Sequence, residues 1–156
     1  MATEVINTMA DNNYDKAINK SVQRLLVEAG LIIQGAAELN APVDTGRLAG
    51  SITYATRGKR SRVRGEAKGS DAVTPPSQND EVHIGTNVEY ALDVEYGTKA
   101  HSINGPVKIR GVGWRYIGKH PGTKKQPFMR PALDDNRTRI VRELGLEIHK
   151  GLEDGK

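Results

Sequence analysis

The chain has no cysteine, one tryptophan and one phenylalanine. The lack of cysteine rules out a disulfide framework, a thiolate metal site and a thiol nucleophile. With so few large aromatics, a core has to be built mostly from aliphatic side chains. No apolar run approaches the ~20 residues that span a bilayer. Met1–Asn13 lacks the basic segment followed by an apolar run that marks a signal peptide. Acidic residues are missing from the whole of Lys99–Arg130, which carries eight Lys and Arg. Three classes fall away: the disulfide-stapled secreted domain, the helical membrane protein and the thiol enzyme.

What is present is one domain's worth of chain, 156 residues with 37% hydrophobic content, 17 Gly and 7 Pro, which predicts many turns around a thin core. The net charge of +4 conceals a strong polarity. Arg57–Gly69 holds six bases and one acid, and Lys99–Arg130 is wholly basic. The remainder is left with nine bases and eighteen acids. Two basic segments on an acidic body say something about partners rather than about fold.

Met1–Asn13 shows no sustained period and reads as a flexible arm. From about Tyr14 to Leu39 the residues Ile18, Val22, Leu25, Leu26, Ala29, Ile32, Ile33, Ala36 and Ala37 recur every three or four positions, a wide apolar stripe on a helix. Gly30 and Gly35 weaken that helix unless they permit a close approach to a sheet. Asn40–Ile52 (NAPVDTGRLAGSI) is a corner. Pro42 stops the helix, Asp44 can cap a new turn, Gly46 can take positive φ, and Leu48 and Ile52 restart the apolar pattern. Gly50–Thr56 alternates as a strand, and Glu81–Gly85 pairs back to it. Between them, residues 57–80 form a long loop, read either as mobile and solvated or as a contact segment that orders on a polyanion or an acidic protein face. Its bases are Arg57, Lys59, Arg60, Arg62, Arg64 and Lys68.

Residues 88–96 are ambiguous. Val88, Tyr90, Leu92, Val94 and Tyr96 alternate with polar or small residues, which favours a strand; Asn87 as N-cap and Gly97 as C-terminal cap favour a short helix. Within an excursion over 99–126, Val107–Arg110 and Trp114–Ile117 flank the Gly111-Val112-Gly113 turn and predict a hairpin. One face is expected to carry Val107, Ile109, Trp114 and Tyr116, or a register close to it, and the other Lys108, Arg110 and Arg115. Pro127 and Pro131 bracket Phe128 and pin it into the core or a neighbour. From Pro131 a last helix runs to about Leu152, with Leu133, Arg137, Ile140, Val141, Leu144, Ile148 and Leu152 on its stripe. Residues 153–156 read as a frayed tail.

Candidates for chemistry are thin. His83, His101, His120 and His149 show no H-x₃-H ligand spacing. Glu89, Asp93 and Glu95 read as an acidic face rather than a cation site. Pro121-Gly122-Thr123-Lys124-Lys125 lacks the frame of a phosphate loop, and no G-x-S-x-G is present. The expectation is a protein that is not an enzyme and takes no cofactor or metal. The basic stretch around Trp114 and Tyr116 leaves a small nucleic-acid-binding protein as the alternative, although no recognition helix or RNP-like strand accompanies it.

The order of four segments carries more weight than any one of them. Pro42-Val43-Asp44-Thr45-Gly46-Arg47-Leu48 follows a long helix. Then come Tyr90-Ala91-x-x-Val94-Glu95-Tyr96-Gly97-Thr98, His120-Pro121-Gly122-Thr123, and Gln126-Pro127-Phe128-Met129-Arg130-Pro131-Ala132-Leu133 before a last helix. In that order, from about Ala17 to about Leu152, the chain resembles the head–tail joining, or tail-completion, proteins of long-tailed bacteriophages, the minor tail components and neck proteins of Hong Kong-type siphophages. The resemblance implies a short helix over 88–96. It makes Asp44, Thr45, Gly46, Leu48, Tyr90, Glu95, Gly97, Pro127, Phe128 and Pro131 the fold-defining positions. It also implies an α+β fold, N- and C-terminal helices packed on a small antiparallel β-sheet, with a protruding hairpin and the long basic loop. The function implied is that of a structural virion protein, made in the host bacterial cytoplasm, forming a hexameric ring at the neck. Its partners would be itself, the tail tube or tail terminator protein, the head connector or adaptor, and genomic DNA passing through the lumen, with no membrane. Lys108, Arg110, Trp114, Arg115 and Tyr116 are the expected subunit interface, and the bases from Arg57 to Lys68 the expected DNA or partner contact.

Overall fold

A computed structural model describes the backbone of residues 2–154 and the side chains of residues 16–153. The fold is α+β. It comprises α1 (Ala2–Asn40), α2 (Arg47–Ser51), β1 (Thr53–Ala55), β2 (His83–Gly85), α3 (Ala91–Tyr96), β3 (His101–Ser102), β4 (Pro106–Ile109), β5 (Gly113–Tyr116), β6 (Lys119–His120) and α4 (Met129–Asp154). The strands pair as three two-stranded antiparallel sheets, β1 with β2, β3 with β6 and β4 with β5. The chain divides into two compact units, residues 1–88 with 128–156, and residues 89–127.

The larger unit is built on α1, which reaches back to Ala2 through the segment expected to be an arm. Leu25, Ile33 and Ala37 on its stripe are buried. α4 packs chiefly along α1, and β1 and β2 also lie against α1. The C-terminal helix is thus layered on the first helix more than on the sheet. It begins at Met129, two residues before Pro131, which is tolerated because first-turn N–H groups have no intrahelical acceptor. Its inner face is Ala132, Asn136, Ile140, Leu144, Ile148 and Gly151, while Leu133, Val141 and Leu152 from the expected stripe stay exposed on its flank. The expected tail is helical at Glu153 and Asp154; Gly155 and Lys156 lie outside the described residues.

The two glycines of α1 differ. A Cβ on Gly30 would stand 2.7 Å from Cγ of Tyr54, so the bare backbone is what lets β1 close against the helix. Gly35 has open space above it. In β1 the register is Thr53 with Gly85, Tyr54 with Ile84 and Ala55 with His83. The alternation expected here gives no wet face, because Ser51–Thr56 are all buried. Segment 57–80 crosses back over them. Ser61 N–H donates to Tyr54 O (3.0 Å), Arg64 N–H to Gly50 O (2.8 Å) and Val73 N–H to Thr53 Oγ1 (2.9 Å). Apart from a 3₁₀ turn at Gly69–Asp71 and isolated bridges at Arg60 and Ala72, the segment is irregular, as its composition predicts. Its backbone is nevertheless tied to the strand, so it covers the sheet instead of standing free.

In the smaller unit, residues 89–127, the ambiguity at 88–96 resolves as helix over Ala91–Tyr96. Tyr90, not Asn87, is the N-cap. Asn87 instead bridges backbones in the larger unit, its N–H to Asp71 O at 2.8 Å and its side-chain amide to Ala72 O at 2.6 Å. Gly97 ends α3 with φ 73°, and Gln126 N–H returns to Val94 O at 2.8 Å.

Candidate interaction surfaces

The corner after α1 is held by a charged clamp. Gly46 takes φ 79° and, as the residue that starts α2, has no side chain to cap it; Thr45 Oγ1 accepts from Arg47 N–H at 3.3 Å. Leu48 is buried. Arg47, the next residue of the motif, grips Asp71 with both arms of its guanidinium, Nε to Oδ2 at 3.0 Å and Nη2 to Oδ1 at 2.9 Å. Asp71 Oδ2 also accepts from Lys68 N–H at 2.9 Å. The Arg47 hydrogen bond foremost, then that of Lys68, holds the Asp71 carboxyl at about 2, well below its ordinary 3.8. The pair ties the corner to the far end of the basic segment. Arg47 stood in the motif and Asp71 in the loop, but nothing in their spacing links them.

The bases expected to make a DNA or partner contact, Arg57, Lys59, Arg60, Arg62, Arg64 and Lys68, are all exposed. Arg64 is ion-paired with Glu38 of α1, and Arg57 lies 3.5 Å from the Asn79 side chain.

In the smaller unit, Thr98 and Thr123 exchange backbone hydrogen bonds of 3.1 Å, and a Cβ on Gly97 would come within 2.6 Å of Thr123 O. Gly97-Thr98 and Pro121-Gly122-Thr123 are therefore one clasp across the base of the excursion. Beside it the β3–β6 pair brings His101 onto His120, ring centres 5.2 Å apart. His120 Nδ1 accepts from Gly122 N–H at 3.0 Å, so its proton sits on Nε2; His101 Nδ1 faces Lys99 O at 3.0 Å and must donate. Among the described residues no group of three His, Asp or Glu could hold a metal ion.

The β4–β5 register is Pro106 with Tyr116, Val107 with Arg115, Lys108 with Trp114 and Ile109 with Gly113. This corrects the expected faces. Trp114 and Tyr116 share a face with Lys108 and Pro106, while Val107 and Ile109 share theirs with Arg115, because the turn spans three residues and shifts the pairing. Trp114 is 67% exposed and Tyr116 82%, and Arg110 and Arg115 are exposed too. Of the fold-defining positions, Phe128 and Glu95 are buried, Tyr90, Gly97 and Pro131 are half-buried, and Pro127 is exposed.

A long N-terminal helix, a corner at a positive-φ glycine, a two-stranded sheet and a short helix ending in a second such glycine follow one another in the first 97 residues. Those residues carry a family signature. The family model described as "Bacteriophage HK97-gp10, putative tail-component" matches residues 6–97, and the chain belongs to this family of phage tail components. It is a virion protein by that membership. The match ends at Gly97, so the rest of the clasp, the hairpin and α4 lie beyond it. No curated protein and no solved structure matches the chain. Among the described residues no helix is long and apolar enough to cross a membrane.

Proposed function

We propose that the protein is a non-enzymatic ring-forming component at the head–tail interface, completing the tail tube, docking on the head connector and letting DNA through its lumen. Membership of a tail-component family supports the setting, and the exposure of Trp114 and Tyr116 on a basic hairpin is the observation that carries the ring. Large aromatics and arginines dominate interface energies when they become buried, and a two-stranded hairpin is marginal without something to lie on. In this reading Lys108, Arg110, Trp114, Arg115 and Tyr116 grip the acidic body of the next subunit, head to tail, a contact that closes into a ring, with a hexamer as the expected size. The exposed α4 residues Leu133, Val141 and Leu152 are further apolar surface that assembly would bury. The bases between Arg57 and Lys68 face the tail tube or terminator, the connector, or DNA.

The test is the mass in solution by light scattering, for the native protein and Trp114→Ala. The expected result is a multiple of the subunit mass that falls to the monomer in the variant while circular dichroism stays native. Rings that survive the substitution would remove the hairpin as the anchor. A native monomer that retards an oligonucleotide would instead support the nucleic-acid-binding reading.

A further inference from the structure

α3 is amphipathic the wrong way round. Ala91 and Glu95 are buried, while Leu92 is 70% exposed and Tyr96 66%. Asp93 is exposed beside them, and Glu89 is exposed just ahead of the helix. Spacings of three and four put Leu92, Asp93 and Tyr96 on one side of α3, with Glu89 one turn earlier. The helix therefore shows solvent a leucine and a tyrosine edged with acid, the kind of surface that association covers. The charge of the smaller unit is sorted in the same sense. Its three acids all fall within Glu89–Glu95, and its seven Lys and Arg all follow, from Lys99 to Lys125. The hairpin of the same unit presents the converse surface, the exposed Trp114 and Tyr116 on one face with Lys108. Within one chain the two surfaces do not cover each other, because Leu92, Tyr96, Trp114 and Tyr116 are all left exposed.

We infer that the outer face of α3 receives the hairpin of a second copy of this chain. The Trp114 and Tyr116 rings would lie over Leu92 and Tyr96, and Lys108 would face Asp93 and Glu89. The inference rests on the ring reading above and supplies the acceptor surface which that reading leaves open. An apolar and aromatic centre rimmed by opposite charges gives such a contact both its affinity and its register. The two surfaces are different patches of one molecule, so the contact runs head to tail. Each subunit offers its hairpin to one neighbour and its α3 to the other. Nucleic acid suits the hairpin but not this face, where Glu89 and Asp93 would repel its phosphates.

Mixing two proteins, each defective on one side, tests this. Leu92→Ser with Tyr96→Ser removes the α3 face and keeps the hairpin; Trp114→Ala removes the hairpin anchor and keeps the α3 face. The substituted side chains are all exposed, so circular dichroism should stay native. By light scattering each protein alone is expected to be a monomer. Mixed in equal amounts they should pair into a dimer, because one intact contact remains and no further subunit can add. Asp93→Lys placed in the Trp114→Ala protein should weaken that pairing about tenfold, and Lys108→Glu in the other protein should recover it. Native-sized oligomers of the Leu92→Ser, Tyr96→Ser protein would overturn the inference and leave the ring reading standing. So would a mixture that stays monomeric, or a pairing indifferent to Asp93→Lys. A native protein that stays monomeric at its highest soluble concentration would overturn both.

Discussion

At the residue scale, the two glycines of α1 show how the same amino acid at helix-interior positions serves different ends. Gly30 faces the Tyr54 ring, which is 7% exposed and has little room to retreat, whereas Gly35 faces open space. Gly30→Ala is therefore expected to destabilise the fold by about 1–3 kcal/mol through overpacking. Gly35→Ala should stabilise it by up to about 1 kcal/mol, since alanine is the better helix former and nothing obstructs it. Urea unfolding of the two variants checks both signs; equal effects would mean that Tyr54 does not lie on Gly30.

At the element scale, the basic segment belongs to the larger unit by virtue of its backbone and of two ion pairs, Arg64 with Glu38 and Asp71 with Arg47. Asp71 sits with its side chain 5% exposed against the Arg47 guanidinium. Its carboxyl titrates at about 2 when folded and near 3.8 otherwise, so folding favours the ionised form. The stability this confers is complete above 3.8 and disappears as the pH drops through about 2. Thermal melts of the native protein and Asp71→Asn should differ most near neutral pH and converge towards pH 2. A gap unchanged down to that pH would mean that the carboxylate's charge is not what holds the corner to the segment.

At the scale of the whole molecule, the polarity of charge makes assembly an electrostatic question. The segment from Lys99 to Arg130 has eight bases and no acid, so all 19 acids lie elsewhere in the chain. If basic excursions grip acidic neighbours, the oligomer should dissociate as salt is raised from low to ~1 M, where screening extends only about 3 Å. Light scattering on a sizing column across that range measures it. An oligomer indifferent to salt would shift the weight to the apolar contacts of Trp114, Tyr116 and the flank of α4.

The sequence alone determined what depends on local periodicity and backbone freedom. The 3.6-residue stripe of α1, the positive φ of Gly46, the hairpin about Gly111-Val112-Gly113 and the burial of Phe128 all follow from neighbours a few residues away, whereas of the stripe expected on α4 only Ile140, Leu144 and Ile148 turn inward. Motif order was legible too, and it led to the family that the match over residues 6–97 establishes. Local pattern misled where a distant partner decides the outcome. The alternation at 88–96 suggested a strand, yet the chain forms α3, with Ala91 and Glu95 inward and Leu92 and Tyr96 exposed. The alternation over Gly50–Thr56 carries no exposed face either, because segment 57–80 covers the strand with hydrogen bonds. The Arg47–Asp71 clamp and the approach of Tyr54 to Gly30 both join residues more than 20 positions apart. Only the tertiary structure could decide these, because sequence periodicity records which side of an element is apolar and not which distant group will come to lie against it.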